Sequence, residues 1–295
     1  MNRIMIKRIF GITALAVFSG FATAQEQAVD SVKVEEAAVA AHDDEEGKPL
    51  KLHHAEPLYI DLMRDLGARK GEREWNVAMG VTENNGYYEF YPLVEYEWAV
   101  VDRLSLEVEV PFNVYTSAEK LPYKSPGTGV AGIKTSIQYT FLVNKKAYTS
   151  MAVGYLNEIE LNSFRNYGNG KFFTGNVYNP FFVVAKGWGK THSISTMVYA
   201  GPVFTHHFGS NHVDTDWQIN SSIHYLIPNS RNFVGLEVNK SITKERFNMV
   251  LRPQIRVALN DSTILGLVVG IPTNRQYEGY SGFIRLVYEP PHKKH

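Results

Sequence analysis

Two groups of like-charged residues give this sequence its clearest chemical signal. Four glutamates take alternate positions in the stretch 91–112, and three arginines, each between apolar residues, lie near the C-terminal end. Like charges that face each other on adjacent strands repel, so water or opposite charges must stabilise each group. Acidic and basic walls opposed across a water-filled pore would create a transverse field, whereas paired charges would fill a closed interior. The acidic group is Glu95, Glu97, Glu107 and Glu109, and the basic group is Arg252, Arg256 and Arg285.

A polar cluster further along the chain raises the alternative of hydrolytic chemistry. It combines His, Ser, Asn and Asp, the residue types found in outer-membrane phospholipases, which are barrels of about twelve strands. A catalytic site needs its nucleophile and base fixed within hydrogen-bonding reach on rigid elements, and a segment rich in Gly, Ser and Asn does not promise that. We therefore expect exposed loop residues and no enzyme. The cluster comprises His206, His207, Ser210, Asn211, His212, Asp214 and Asp216.

Histidines near the N-terminus raise the alternative of a metal site. His42 precedes four acidic residues, and His53 and His54 follow shortly after. Their spacing matches no closed metal site, so we expect a solvated segment without bound metal. The chain has no cysteine, which removes thiol nucleophiles, iron–sulfur clusters and Cys-ligated zinc. We expect no cofactor.

The elements that position the charged groups are predicted to be strands. Between residues 91 and 112, apolar residues alternate with polar or acidic ones on both sides of a short Val-Asp-Arg link. Period two marks a strand with one apolar and one polar face, and the short link makes the pair a hairpin. Because the pattern recurs, the sequence predicts about twelve strands of roughly ten residues, the length that a tilted membrane strand needs. They lie near 75–82, 94–98, 104–112, 133–141, 217–225, 234–238, 249–257 and 284–288, with less clean alternation near 146–156, 175–188, 191–205 and 262–271.

The links between these strands alternate in length. Tight links such as 99–103 and 228–231 alternate with longer ones such as 157–174. This alternation is typical of outer-membrane barrels and predicts that both termini lie on the periplasmic side. We therefore predict one closed antiparallel up-and-down transmembrane barrel over residues 72–289, with apolar side chains toward lipid. Pro253 lies in mid-strand and cannot donate to the ladder, so it predicts a β-bulge.

The start of the chain has the pattern of a secretory signal peptide, residues 1–24. A basic stretch precedes an apolar run, and Ala22-Thr23-Ala24 forms the cleavage site. Three of the 30 basic residues lie in this leader, so the remaining chain carries 27 basic against 30 acidic residues. That balance does not favour a nucleic-acid partner. Residues 25–71 are predicted to form a flexible, acidic periplasmic segment, and residues 290–295 a short tail.

Residues 57–66 interrupt the flexible segment with the pattern of a short amphipathic helix. Leu58, Leu62 and Leu66 recur on one face. A proline opens the stretch and a glycine follows its end, as is common at helix termini. Such a helix would either plug the barrel interior or pack as a strut on its rim.

Two runs of the sequence carry a resemblance to known proteins. The run HAEPLYIDLMRDLGARKGEREWN (54–76) and the hairpin FYPLVEYEWAVVDRLSLEVEVPF (90–112) resemble a family of exported bacterial outer-membrane barrels of unassigned function. They are also similar to the outer-membrane family named for the MetA pathway of phenol degradation. That second resemblance implies passage of small organic compounds, and it assigns no functional residues.

These observations favour a passive channel for small solutes in the outer membrane. The main alternative is a closed structural or interaction barrel whose interior is filled by salt bridges. The second alternative is an outer-membrane lipid hydrolase. The expected partners are outer-membrane lipid, small organic solutes and, during biogenesis, the barrel-assembly machinery.

Overall fold

A computed structural model describes residues 47–60, 65–84, 86–117, 127–168, 170, 172–210 and 212–290. The predicted signal peptide (1–24), most of the predicted flexible segment and the tail after residue 290 therefore lie outside the described residues. So does the centre of the predicted helix, including Leu62. The described flanks of that helix, 57–60 and 65–66, are bends, turns and irregular backbone.

The described chain forms a closed antiparallel barrel, as the alternating pattern predicts. Each long strand pairs with its neighbours in sequence, and the first long strand also pairs with the last, which closes a ring of twelve strands. A two-residue strand pairs separately with the third strand. The strands are β1 (Arg73–Glu83), β2 (Tyr87–Val101), β3 (Leu104–Ser117), β4 (Gly129–Val130), β5 (Gly132–Asn144), β6 (Thr149–Leu161), β7 (Phe173–Trp188), β8 (Ile194–His207), β9 (Val213–Leu226), β10 (Phe233–Ile242), β11 (Phe247–Asn260), β12 (Thr263–Pro272) and β13 (Ser281–Tyr288).

The two faces of the wall have the reverse polarity of a water-soluble protein. On β1, Trp75 and Val77 are 47% and 52% exposed on the outside, whereas Asn76 between them is fully buried inside. On β3, Val108 is exposed on the outside, and Glu107 and Glu109 are buried. Large apolar side chains outside and charges inside suit a wall that faces lipid. No helix among the described residues is long and apolar enough to cross a membrane.

The hairpin that carries the four glutamates places all four on the same face of the sheet. The chain turns between β2 and β3 at Arg103, whose φ is +68°, a left-handed conformation that the tight link requires. The pairing places Glu95 opposite Glu109 and Glu97 opposite Glu107. All four carboxylates therefore lie side by side on the inner face.

The β-bulge predicted at Pro253 is wrong. Leu251 pairs with Ile271 and Gln254 pairs with Val268, so the register between β11 and β12 is the same on both sides of the proline. The missing N–H only interrupts the ladder locally, and no extra residue is inserted. The register shift of β11 lies closer to its end, between Ala258 and Asn260.

Candidate functional site

Residues 52–60 and 65–67 lie inside the barrel. We call residues 52–67 the inner segment; its residues 61–64 are not described. Before and after that gap, Leu52, Leu58 and Leu66 are buried. Because the segment is irregular, its backbone N–H groups need partners other than a strand ladder. Side chains of the wall supply them: Leu58 N donates to Gln254 Oε1 at 2.8 Å and Gly67 N donates to Thr140 Oγ1 at 2.9 Å.

Apolar side chains on the inner face of the wall form two seats for this segment. Ile60 and Leu66 pack in one, and Ala55 and Leu58 pack in the other. The first seat explains why the predicted strands near 146–156, 175–188 and 191–205 alternate poorly, since their inner faces are apolar as well. The poor alternation was thus the signal for this seat, although sequence reasoning assigned it no role. The first seat is Ala152, Leu156, Phe181, Val183, Ala185, Met197 and Tyr199, and the second is Ala78, Leu93, Leu226, Phe233, Val268 and Phe283.

A small gap lies beside the inner segment. The gap lined by Pro57, Ile60, Tyr199 and Glu237 measures about 10 Å³, which is room for about one water molecule. A larger cavity of about 310 Å³ opens at the end of the barrel formed by the longer loops, next to His207. Ile60 thus packs against the wall with this small gap beside it.

The two ends of the inner segment meet at an ion-pair cluster, which we call the Lys51 cluster. Lys51 Nζ lies 2.7 Å from Asp65 Oδ2 and 2.6 Å from Glu72 Oε2. Burial alone would lower the pKa of Lys51, but the two carboxylates outweigh it and the pKa is raised. Although burial opposes it, Lys51 holds the pKa of Asp65 below its usual value. Burial and the neighbouring Asp65 raise the pKa of Glu72 to about 7.

The predicted acidic group is buried and lies among donors. Glu95 accepts from Arg285 Nη1 at 3.2 Å and Asn76 Nδ2 at 2.8 Å. Glu109 Oε1 lies 3.0 Å from Lys134 Nζ, and Glu107 accepts from the Ser136 hydroxyl. Carboxylate oxygens of Glu95, Glu107 and Glu109 lie within 4.8 Å of one another, as do those of Glu74, Glu95 and Glu97. These are oxygen ligands of the kind that hard cations take, but Arg285 and Lys134 already place positive charge there.

The three arginines of the predicted basic group do not lie on one strand: Arg285 is on β13, and Arg252 and Arg256 are on β11. That the acidic and basic groups act as opposed walls stays a prediction. Because β1 pairs with both β2 and β13, only one strand separates Glu95 from Arg285, and the two side chains form an ion pair. Arg252 bonds Glu278, and Arg256 lies over the Phe233 ring. Closure of the barrel thus brings Arg285 beside the acidic group, whereas Arg252 and Arg256 lie on β11, four strands along the ring from β2.

Arg252 also holds the inner segment. Its guanidinium carbon lies 3.3 Å from the centre of the Tyr59 ring, and the ring of Phe283 meets Tyr59 edge to face at 5.4 Å. Tyr59 N donates to Glu237 Oε2 at 3.3 Å. Tyr59 did not figure among the predicted site residues, because its partners lie on β10, β11 and β13, far away in sequence.

The polar cluster at residues 206–216 spans the end of β8, the link after it and the start of β9, and its Asn211 lies outside the described residues. Asp214 lies 3.0 Å from His207 Nε2 and 2.9 Å from His212 Nε2, and all three side chains are half-exposed or more. The Ser210 hydroxyl donates to the His207 carbonyl oxygen at 3.4 Å. Among the described residues of this cluster, no serine–imidazole hydrogen bond forms, so the arrangement lacks an activated nucleophile.

A closed antiparallel barrel of twelve strands, apolar outside and charged inside, is a porin-like outer-membrane barrel. Solved structures of this class are similar to the chain in fold. An outer-membrane channel from Pseudomonas putida F1 has a TM-score of 0.59 at 10% identity, over 76% of this chain and 97% of that one. The KdgM porin in complex with disordered oligogalacturonate has a TM-score of 0.50 at 12% identity, over 74% and 99%. The NanC porin has a TM-score of 0.50 at 9% identity, over 74% and 100%.

The chain belongs to the HAEPLYID-like family, whose model matches residues 50–289. The family name spells residues 54–61 of this chain, which lie within the inner segment. No curated protein matches the chain. The resemblance to the MetA-pathway family is not confirmed by these comparisons and stays a prediction.

Proposed function

We propose that this protein is an outer-membrane channel for small solutes and that the inner segment closes it in the described state. The observation that carries the proposal is that the wall is complete without the inner segment. Every strand of the ring pairs with two neighbours, and the described residues of the inner segment are held by wall side chains and by packing. It can therefore leave the interior without breaking a strand pair.

The arrangement of the buried ion pairs favours a channel over a closed structural barrel. Lys134 and Glu109 face each other on the adjacent strands β5 and β3, and Arg285 reaches Glu95 across β1 alone. These pairs run along the wall and do not cross the interior. Removing the inner segment would leave a charge-lined passage rather than a barrel that remains filled by salt bridges.

The test is to excise residues 52–66 and join Lys51 to Gly67. The junction is feasible because Lys51 Cα lies only 3.7 Å from where a Cβ would sit on Gly67. In planar bilayers we expect the excised protein to conduct in larger and more frequent steps than the full chain. Heat-modifiable gel mobility checks that both proteins are folded. A folded excised protein that does not conduct would end the channel proposal and favour the closed barrel.

The fold of the neighbours supports the outer membrane as the location of this channel. Outer-membrane lipid would then contact the apolar outer face of the wall. The export signal, the barrel-assembly machinery and passage of small organic solutes stay predictions from the sequence. The polar cluster that prompted the hydrolase alternative supports no proposal, because its described contacts do not activate Ser210.

A further inference from the structure

The Tyr59 ring occupies a pocket that the barrel wall builds for it. We call the surrounding residues Arg252, Phe283 and Tyr91 the Tyr59 pocket. Arg252 covers the ring face at 3.3 Å, and the Phe283 ring approaches at 5.4 Å with the two planes 73° apart. A buried guanidinium over an aromatic face is attractive, and more so where water is excluded.

Arg252 is held in place by the wall and not by Tyr59. Its Nε donates to Asn239 Oδ1 at 2.6 Å, its Nη1 to Ser281 Oγ at 2.9 Å and its Nη2 to Glu278 Oε1 at 2.9 Å. Its side chain is 3% exposed. Because these three bonds fix the guanidinium, its cationic face would stay in place if Tyr59 left.

Tyr91 adds a polar group without a normal partner to the same pocket. Its ring stacks on Phe283 at 6.1 Å and lies so close to Gly80 that a Cβ there would overlap it. The Tyr91 hydroxyl is buried near the Tyr59 and Thr82 side chains but has no hydrogen bond of normal geometry among the described residues. A buried hydroxyl in that state costs free energy. The Tyr59 hydroxyl is tethered to the inner segment and does not recover this cost, whereas the hydroxyl of a free ligand can shift to do so.

We propose that the Tyr59 pocket is a binding site for small, uncharged hydroxyaromatic solutes, with Tyr59 as its built-in occupant. The fixed guanidinium selects an aromatic ring over an aliphatic one, and the Tyr91 hydroxyl selects a ring with a hydrogen-bonding group. Because the charge of Arg252 is already balanced by Glu278, the pocket does not require an anionic ligand. A solute that takes the place of Tyr59 would displace the inner segment. That link to opening rests on the proposed channel function, whereas the binding does not.

The test uses the full chain with Tyr59→Ala and p-cresol, which is a tyrosine side chain without its backbone. We expect saturable binding of one p-cresol per barrel by calorimetry. Binding of 4-methylcyclohexanol, which has the same outline without the aromatic face, should be at least tenfold weaker. The matched variant Ile60→Ala empties a position in the other apolar seat and keeps Tyr59. It should bind p-cresol at least tenfold more weakly than Tyr59→Ala.

Three results would overturn the inference: no saturable p-cresol binding, equal affinity for the two probes, or equal binding by the two variants. If Tyr59→Ala does not fold, the protein lacking residues 52–66 exposes the same pocket and takes its place. Failure here is distinguishable from failure of the channel. Conduction without p-cresol binding would refute only the proposed hydroxyaromatic site. Binding of p-cresol without conduction would refute only the proposed channel function.

Discussion

Val108 and Glu107 are neighbours on β3 whose side chains point to opposite sides of the wall. Val108 is 37% exposed on the outer face, whereas Glu107 is buried inside. We expect Val108→Arg to destabilise the folded barrel by about 2–4 kcal/mol, because it places a charge against lipid. Glu107→Gln keeps an acceptor for the Ser136 hydroxyl and should change stability by less than about 1 kcal/mol. Urea unfolding in lipid bilayers measures both, and equal losses would contradict the assigned faces.

Glu72 makes docking of the inner segment depend on pH. Its pKa is raised to about 7 from its usual value of 4.5. The docked protein therefore holds this proton more tightly than the undocked one, so the contribution of Glu72 to docking is largest below pH 4.5 and is lost as pH rises through about 7. The substitution Ile60→Cys introduces a thiol whose rate of reaction with maleimide can be measured at pH 8 and at pH 5. We expect the ratio of these two rates to be several-fold higher than the same ratio in a protein that also carries Glu72→Gln.

The Glu72→Gln reference removes two complications of that measurement. The thiol itself titrates with pH in both proteins. Burial, with a smaller effect from His192, lowers the pKa of His54 to about 4, so His54 favours docking above pH 6.5 and loses that effect as pH falls toward 4. Both effects cancel in the ratio. A ratio that stays constant between pH 5 and pH 8 would refute the role of Glu72.

At this scale the sequence predicted which way side chains face but not what they touch. The period-two pattern is local, so it placed Val108 outside and Glu107 inside without knowledge of the fold. The partner of Glu95 is Arg285, 190 residues away in sequence. That contact depends on which strands meet when the barrel closes, and the charges alone suggested opposed walls instead.

At the scale of elements, the inner segment can be locked to the wall. Leu58 Cγ lies 3.3 Å from where a Cβ would sit on Gly266 of β12. Cysteines at these positions are within reach of a disulfide, and the chain has no other cysteine to compete. We expect Leu58→Cys with Gly266→Cys to oxidise readily, and the oxidised protein to stay non-conducting until a reductant is added.

A matched pair controls for random oxidation. Gly282 lies on β13, where an added Cβ would meet only Val81, on the lipid-facing side of β1. Leu58→Cys with Gly282→Cys should keep both thiols free under the same oxidant, as measured by thiol titration. Oxidation of the two pairs to the same extent would show that Leu58 is not held against Gly266.

The strands were predictable from the sequence, whereas the conformation of the inner segment was not. Strand patterning reports burial on one face of a sheet, and it identified all twelve long strands. The described flanks of residues 57–66 are irregular despite their helical spacing. Wall side chains such as Gln254 and Thr140 accept from N–H groups there, so tertiary contacts replace the helical hydrogen bonds that propensity alone would favour.

For the whole molecule, the lengths of the links predict the orientation in the membrane. Arg165 lies in a long link and Lys146 in a tight turn at the opposite end of the barrel, and both are exposed. Because the chain lacks cysteine, each position can be changed alone to Cys. On intact cells we expect a membrane-impermeant maleimide to label Arg165→Cys and not Lys146→Cys. The reverse pattern would invert the proposed topology.

The pairing of β1 with β13, which closes the barrel, makes the final position of the inner segment depend on the order of assembly. The inner segment precedes the whole wall in sequence. Arg252 and Phe283, which contact the Tyr59 ring, nevertheless lie on β11 and β13, near the end of the chain. Before β13 is in place, the β1–β13 pairing is absent and the second seat lacks Phe283. A chain that stalls before its last strand exposes both an unpaired strand edge and a loose apolar loop, two features that mark an incomplete protein. When β13 arrives, it removes both at once.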